Sequence, residues 1–398
     1  MTVERIAPNN AVPNSLVPNS VVAEGHAARV GVPFVDLQAQ FADVAAEVMP
    51  VLHDVLTTAG YIGGTHVAAF ETAYAQFSGA QHCVGVGNGT DAIELALRGA
   101  GIGAGDEVIL PTNSFIATAE AVSRAGATVV LVDVDPQYLL IDPEQVAAAI
   151  TARTRAIIPV HLFGQTAPVE QLVDLAARHD VMIIEDAAQS QGASRNGIPT
   201  GTTGIAAATS FYPGKNLGAA GDAGAVLTND DALADRVRII AAHGSRQKYV
   251  HDVVGVNSRL DAVQAVVLRA KLAHLQRWND LRRRAAERYS EMLASIDGVQ
   301  SPTSAPGNVD VWHLYVVRVD GRDRVLDGLG AAGIGAGIHY PTPIHLTGAY
   351  HDGHRAGQFP VSEHAAQQIL SLPLFPHISV TQQEIVVDRL AGLIVGAR

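Results

Sequence analysis

Val181-Met182-Ile183-Ile184-Glu185-Asp186-Ala187-Ala188-Gln189 is an apolar run that stops on two carboxylates. Its β-branched residues and its length predict a strand buried on both faces, the kind found inside parallel sheets. Asp186 then stands at the end of that strand. A carboxylate there needs a partner, because burying one alone is costly. A cationic ring nitrogen would serve. So would a structural arginine, or the free N–H groups of a following helix that Asp186 capped.

Working outward, similar short Val- and Ile-rich segments lie at 82–86, 107–110, 128–134, 156–161, 207–211 and 224–228, each bounded by Gly, Pro or Asp. With 181–186 they make seven strand candidates. Amphipathic stretches at 90–99, 115–126, 143–150 and 168–179 separate most of them. This alternation predicts an α/β fold with a mainly parallel seven-stranded sheet and helices on both faces. Ligands of such sheets bind beyond the carboxyl ends of the strands.

After about residue 258 the pattern changes. Leu268, Leu272, Leu275, Trp278, Leu281, Ala285, Tyr289 and Met292 recur at helical spacing and predict one long helix over 260–293. Arg282-Arg283-Arg284 within it reads as a solvated face. A Pro- and Ser-rich loop (301–307), a strand candidate (312–319) and a Gly/Ala-rich stretch (323–338) follow. The expected division is a flexible N-terminal tail (1–31), a large domain (32–259) and a smaller α+β domain (260–398) that includes the long helix. The tail reading rests on the Pro- and Asn-rich near-repeat Val12-Pro13-Asn14-Ser15 and Val17-Pro18-Asn19-Ser20.

With 39 acidic and 27 basic residues, the net charge of -12 argues against nucleic acid as a partner. The single cysteine, Cys83, excludes an intrachain disulfide framework and a cysteine-ligated iron–sulfur cluster. No metal-ligand set is read. No basic start leads into an apolar signal core, and no apolar run approaches bilayer-spanning length, so a cytoplasmic location is expected, with no membrane partner.

Gly85-Val86-Gly87-Asn88-Gly89-Thr90-Asp91-Ala92 follows a strand candidate and opens a helix candidate. Glycines admit close approach of the backbone, and a helix N-terminus offers N–H groups to a phosphate. The same segment also reads as a tight turn with Thr90 or Asp91 capping the helix. Gly99-Ala100-Gly101-Ile102-Gly103-Ala104-Gly105 lacks dinucleotide-fingerprint spacing and precedes its strand, so it reads as a turn. Thr209-Ser210-Phe211-Tyr212-Pro213-Gly214-Lys215-Asn216-Leu217-Gly218 carries a strand end into a Gly/Pro turn with one lysine. Lys215 is either a solvated charge or, if burial depresses its pKa, an amine suited to imine chemistry. Ser210 is placed to meet the same phosphate as Thr90.

A phosphate turn, an acid after a later strand and a lysine after the next occur in the order used by type I pyridoxal-phosphate enzymes. The sequence resembles the DegT/DnrJ/EryC1/StrS family of sugar aminotransferases. The likeness runs from Val32 to the C-terminus, on Pro33 to Leu37, Gly85 to Ala92, Asp106 to Pro111, Pro159 to Gly164, Glu185 to Gln189, Ser210 to Gly224 and Asn257 to Asp261. The resemblance implies the type I fold and these roles. Lys215 forms the imine with pyridoxal 5′-phosphate, and Asp186 pairs with its ring nitrogen. Gln189 meets the phenolic oxygen, and Gly89, Thr90 and Ser210 bind the phosphate. Phe115 stacks on the ring. Asn257 reaches the phosphate in a neighbouring subunit, making a homodimer with shared sites. His339, Tyr340 and His345 meet the nucleotide sugar. Phe211 to Gly218 and Gly221 to Gly224 resemble the subgroup that aminates C-3 of nucleotide-linked keto-6-deoxyhexoses, for which dTDP is the expected carrier. L-glutamate is the expected donor, with pyridoxamine phosphate as the intermediate form of the cofactor. The alternatives are a C-4 ketosugar or cyclitol aminotransferase, or a non-catalytic sugar sensor. A sugar 3-dehydratase of this fold would carry His in place of Lys215. Gln191 departs from the family, which often has His there.

Overall fold

A computed structural model describes residues 31–395, so the stretch read as a tail lies outside it except for Gly31. The central sheet has seven strands: β1 (His82–Val86), β2 (Glu107–Pro111), β3 (Thr128–Val132), β4 (Thr154–Ile157), β5 (Met182–Asp186), β6 (Ala206–Ser210) and β7 (Gly224–Thr228). Their order is β1-β7-β6-β5-β4-β2-β3. From β6 through β5, β4 and β2 to β3 every pairing is parallel. β7 runs antiparallel to both β1 and β6.

Helices cover both faces, as the apolar strands demand. In β6 and β7 side chains alternate between two cores, following the two-residue period of a strand. Ala206, Ala208 and Val226 join the helices Gly89–Gly99 and Ile116–Ala125 on one face. Ala207, Ala225 and Leu227 join Leu268, Leu272 and Leu275 of the long helix Ala262–Leu293 on the other. Short alanines in β6 let both layers approach the sheet closely.

Three helices, Leu37–Ala42, Ala45–Thr58 and Gly64–Ser78, precede β1 where no element was expected. Val44, Val48 and Val55 pack against Val266, Val267 and Trp278 of the long helix. The smaller C-terminal layer pairs β8 (Val299–Gln300), β9 (Tyr315–Val319) and β10 (Ile369–Leu372) in an antiparallel sheet. Its core takes Ala285, Tyr289 and Leu293 from the long helix, and Val32 from the start of the chain.

β9 begins at Tyr315, later than the expected 312, because the Val311 N–H is given to the Gly164 carbonyl and Trp312 turns the chain at φ 48°. Arg282 departs from the expected solvated face. It is 3% exposed and donates to the carbonyls of Trp312 and Leu374 at 3.2 and 2.9 Å. Among the described residues no helix is long and apolar enough to cross a membrane.

Candidate active site

β5 delivers Asp186 to the carboxyl edge of the sheet, 6% exposed. Thr118, from the helix Ile116–Ala125, donates its hydroxyl to Asp186 Oδ2 at 2.8 Å, and the Ala188 N–H donates to Oδ1 at 3.1 Å. Burial pushes the Asp186 carboxyl up from the ordinary range. These two hydrogen bonds and the charge of Lys215 oppose that rise. Both oxygens are thus anchored in a setting that favours a cationic partner.

Gln189 is oriented by its acceptor end. The Phe163 N–H donates to Oε1 at 2.7 Å, which turns Nε2 outward to donate to the Tyr340 hydroxyl at 3.1 Å. The Tyr340 ring lies 5.2 Å from that of Phe115, which is half exposed over the strand ends. Two elements far apart in sequence, 113–116 and 339–341, therefore meet over the Asp186 edge.

Lys215 sits on the loop joining β6 to β7. Turn bonds close that loop: Lys215 N–H to Tyr212 O and Ala219 N–H to Phe211 O, both 2.8 Å. Gly218 is required there, since a Cβ would stand 2.2 Å from the Pro213 carbonyl oxygen. Burial brings the Lys215 ammonium down to about 8, with the Asp186 carboxylate pulling the other way. An appreciable fraction of a free Lys215 amine is then basic near neutral pH.

The phosphate expectation has a geometric counterpart. Gly89 opens its helix and Ser210 ends β6, and a Cβ on Gly89 would lie 2.7 Å from Ser210 Cβ and 3.3 Å from its Oγ. Gly224 allows the same approach from the far side, for its Cβ would fall 2.4 Å from the Asn88 carbonyl. Asn88 caps the helix by accepting from the Asp91 N–H at 2.8 Å. The first turn beside Ser210, including Gly89 and Thr90, offers N–H groups, hydroxyls and a positive dipole end to an anion. Cradle, anchored carboxylate and weakly basic lysine fit a phosphorylated pyridinium aldehyde.

The other predicted residues separate. His339 is drawn to about 4 by burial and then by the charge of Lys215. Its Nδ1 bonds Ser371 Oγ at 2.8 Å, and its ring stacks on Phe34 at 5.6 Å. His345 is fully buried between Thr112 Oγ1 (2.8 Å) and Glu363 Oε1 (3.0 Å), so its ring is taken up in the wall behind the site. Asn257 is exposed on a single chain. Gln191 is buried, and its Nε2 donates to Ser210 O at 2.8 Å and Thr209 Oγ1 at 3.0 Å, steadying the end of β6.

Sequence reasoning missed Thr118 and His313. Thr118 follows Phe115 by one helical turn, a spacing that could have suggested it. His313 feels the charges of Lys215, Arg282 and His339, and burial holds it neutral far below its usual range.

The family model of DegT/DnrJ/EryC1/StrS aminotransferases matches residues 42–391. A dTDP-3-amino-3,4,6-trideoxy-alpha-D-glucose transaminase of Streptomyces venezuelae is 46% identical, over 90% of this chain and 94% of its own. The X-ray structure of S. venezuelae DesV with a ketimine intermediate superposes at TM-score 0.89 and 46% identity, over 91% and 98% of the two chains. Ntda from Bacillus subtilis, with bound cofactor PMP, superposes at TM-score 0.85 and 30% identity, over 94% and 87%. Fold, site and these matches agree: the chain belongs to the DegT/DnrJ/EryC1/StrS aminotransferase family.

Proposed function

We propose that this aminotransferase moves an amino group from L-glutamate to C-3 of a nucleotide-linked keto-6-deoxyhexose, with dTDP as the nucleotide. The observation that carries the reading is Asp186 at the end of β5 and, from the neighbouring β6, the loop that carries Lys215, where burial brings the lysine down to about 8. The 46%-identical transaminase of a dTDP-3-amino sugar supports the sugar, the carrier and the C-3 position over C-4.

Bound pyridoxal phosphate would supply an electron sink for the amino-bearing carbon. Gly89, Thr90 and Ser210 hold its phosphate. Asp186, anchored by Thr118, keeps the ring nitrogen protonated. Gln189 has a second N–H for the phenolic oxygen, and Phe115 covers the ring. Lys215 Nζ takes the proton from the donor's Cα and returns one to the sugar carbon in the second half. Tyr340 and His339 line the sugar side. Asn257, exposed on one chain, serves the phosphate of a partner subunit in a homodimer. The functional units are 32–259 and 260–398, with sugar contacts drawn from the latter.

The test is the absorption spectrum before and after L-glutamate, followed by borohydride reduction and peptide mapping. A visible band that glutamate moves toward the ultraviolet, and a cofactor fixed to Lys215 after reduction without donor, are expected. No band with added cofactor refutes the enzyme reading. A label on Lys248 or Lys271, the other two lysines, refutes the assignment of Lys215.

A further inference from the structure

Asn216, one residue beyond Lys215, is 1% exposed, and its side chain bonds two distant segments. Its Nδ2 donates to Asn279 Oδ1 of the long helix at 2.9 Å and to the Val311 carbonyl at 2.9 Å. Both amide hydrogens are thereby spent, and Oδ1, a carbonyl oxygen, can only accept. The neighbour at Oδ1 is His313 Nδ1, 3.2 Å away, which must therefore carry a proton. Asn279, fully buried, passes its own Nδ2 to the Gln191 carbonyl at 2.9 Å. Gln191 follows the Asp186–Gln189 segment. The Asn216 amide thus ties the lysine loop to the long helix and to the segment entering β9, and through Asn279 to the chain after β5. Lys271 Nζ gives the loop a second hold, donating to the Gly218 carbonyl at 2.8 Å.

We propose that Asn216 is a positioning residue: through Asn279, Val311 and His313 it fixes the backbone from which Lys215 is presented to the site. Buried amides satisfied on every side leave little freedom to the segments they join. A loop so held fixes the point from which the partly exposed Lys215 side chain is presented, in keeping with its weakly basic setting. Thr118 and the Ala188 N–H hold Asp186, and Asn216 holds Lys215, so the two groups are fixed by independent devices. The charges that His313 feels are those of Lys215, Arg282 and His339. The inference rests on Lys215 being the reactive lysine.

The test labels the full-length chain, freed of cofactor, with a limiting amine-acetylating reagent across a pH series. The peptides of the three lysines are quantified separately. The Lys215 midpoint is expected at about 8 in the wild type. In Asn216→Ala it is expected to climb toward the ordinary lysine value, so that labelling at pH 8 falls at least about fivefold. His313→Leu is expected to move it the same way, and His313→Asn, which keeps a donor to Asn216 Oδ1, to leave it in place. An unmoved midpoint in Asn216→Ala, with only a lower unfolding temperature, overturns the proposal. If that variant does not fold, an unmoved midpoint in His313→Leu overturns it. Failure of the Lys215 assignment would show separately, as borohydride fixation of the cofactor to another lysine in the wild type.

Discussion

Thr118→Val removes one hydroxyl from the candidate site while keeping nearly the same volume. Thr118 is fully buried, donates to Asp186 Oδ2 at 2.8 Å and shares a hydrogen bond with Ser114 Oγ at 2.7 Å. Valine fills the space but leaves Oδ2 without that donor, where burial already favours the neutral acid. A hydrogen bond to a charged group contributes roughly 1.5–3 kcal/mol. If Asp186 must stay ionised through the reaction, the donor half-reaction should slow by about 10- to 150-fold. The same carboxylate serves both halves, so the return reaction with the ketosugar should slow in proportion. Stopped-flow absorbance under saturating L-glutamate, in a single turnover, measures the first rate directly. Thr118→Ser restores the hydroxyl and should recover most of it. If Thr118→Val, folded and loaded with cofactor, turns over within about twofold of the wild type, the anchoring of Asp186 by Thr118 has no part in the chemistry.

Gly89→Ala should weaken cofactor binding about tenfold or more, because the new Cβ meets Ser210 Cβ at 2.7 Å and pushes the strand end off the helix start. Equilibrium titration with pyridoxal phosphate reads it. In a population of dimers assembled at random from Lys215→Ala and Asn257→Ala subunits, half are mixed. Each mixed dimer has one intact shared site, so about a quarter of wild-type activity should return, and none if sites are not shared. Lys271 is 5% exposed, and burial brings its ammonium down to about 8. Its folded value lies below its unfolded one, so between about pH 8 and 10 the unfolded chain binds more protons and the fold gains stability as pH rises. Urea unfolding should show wild type gaining on the order of 2 kcal/mol over Lys271→Met across that interval.

The sheet was legible because each strand carries its own signal, a β-branched run closed by Gly, Pro or Asp, and all seven appear near the expected positions. The early end of β4 at Ile157 has a local cause: Pro159 follows, and the chain continues as a single bridge between Val160 and Asp186. The direction of β7 was not legible, since no residue in Gly224–Thr228 marks which way a strand runs. The helices over 37–78 were not assigned, although Val44, Val48 and Val55 repeat at helical spacing against the long helix. Within the site, Asp186, Gln189 and Lys215 stood out because each ends a strand or begins a turn. Thr118, Asn216 and His313 acquire meaning only from partners 63 to 97 residues away. His345 shows the converse: a histidine in an attractive loop whose neighbours Thr112 and Glu363 claim it for the wall.

The reversal of β7 has a further consequence for the loop that carries Lys215. Ser210 pairs with Gly224, and the Phe211 N–H donates to the Ala223 carbonyl at 2.7 Å, so the chain leaves and rejoins the sheet at one edge. A parallel successor to β6 would have required a crossover to the opposite edge. Lys215 instead rides a closed bight with both feet on the same rim. Its outgoing limb, 211–218, is cinched by its own turn bonds, whereas Ala220 and Asp222 on the return limb are exposed. Among the described residues the return limb has a single tie of its own, the Ala220 N–H to Gln264 Oε1 of the long helix at 2.8 Å, so residues added or lost between that bond and Ala223 would leave the turn bonds of the outgoing limb intact.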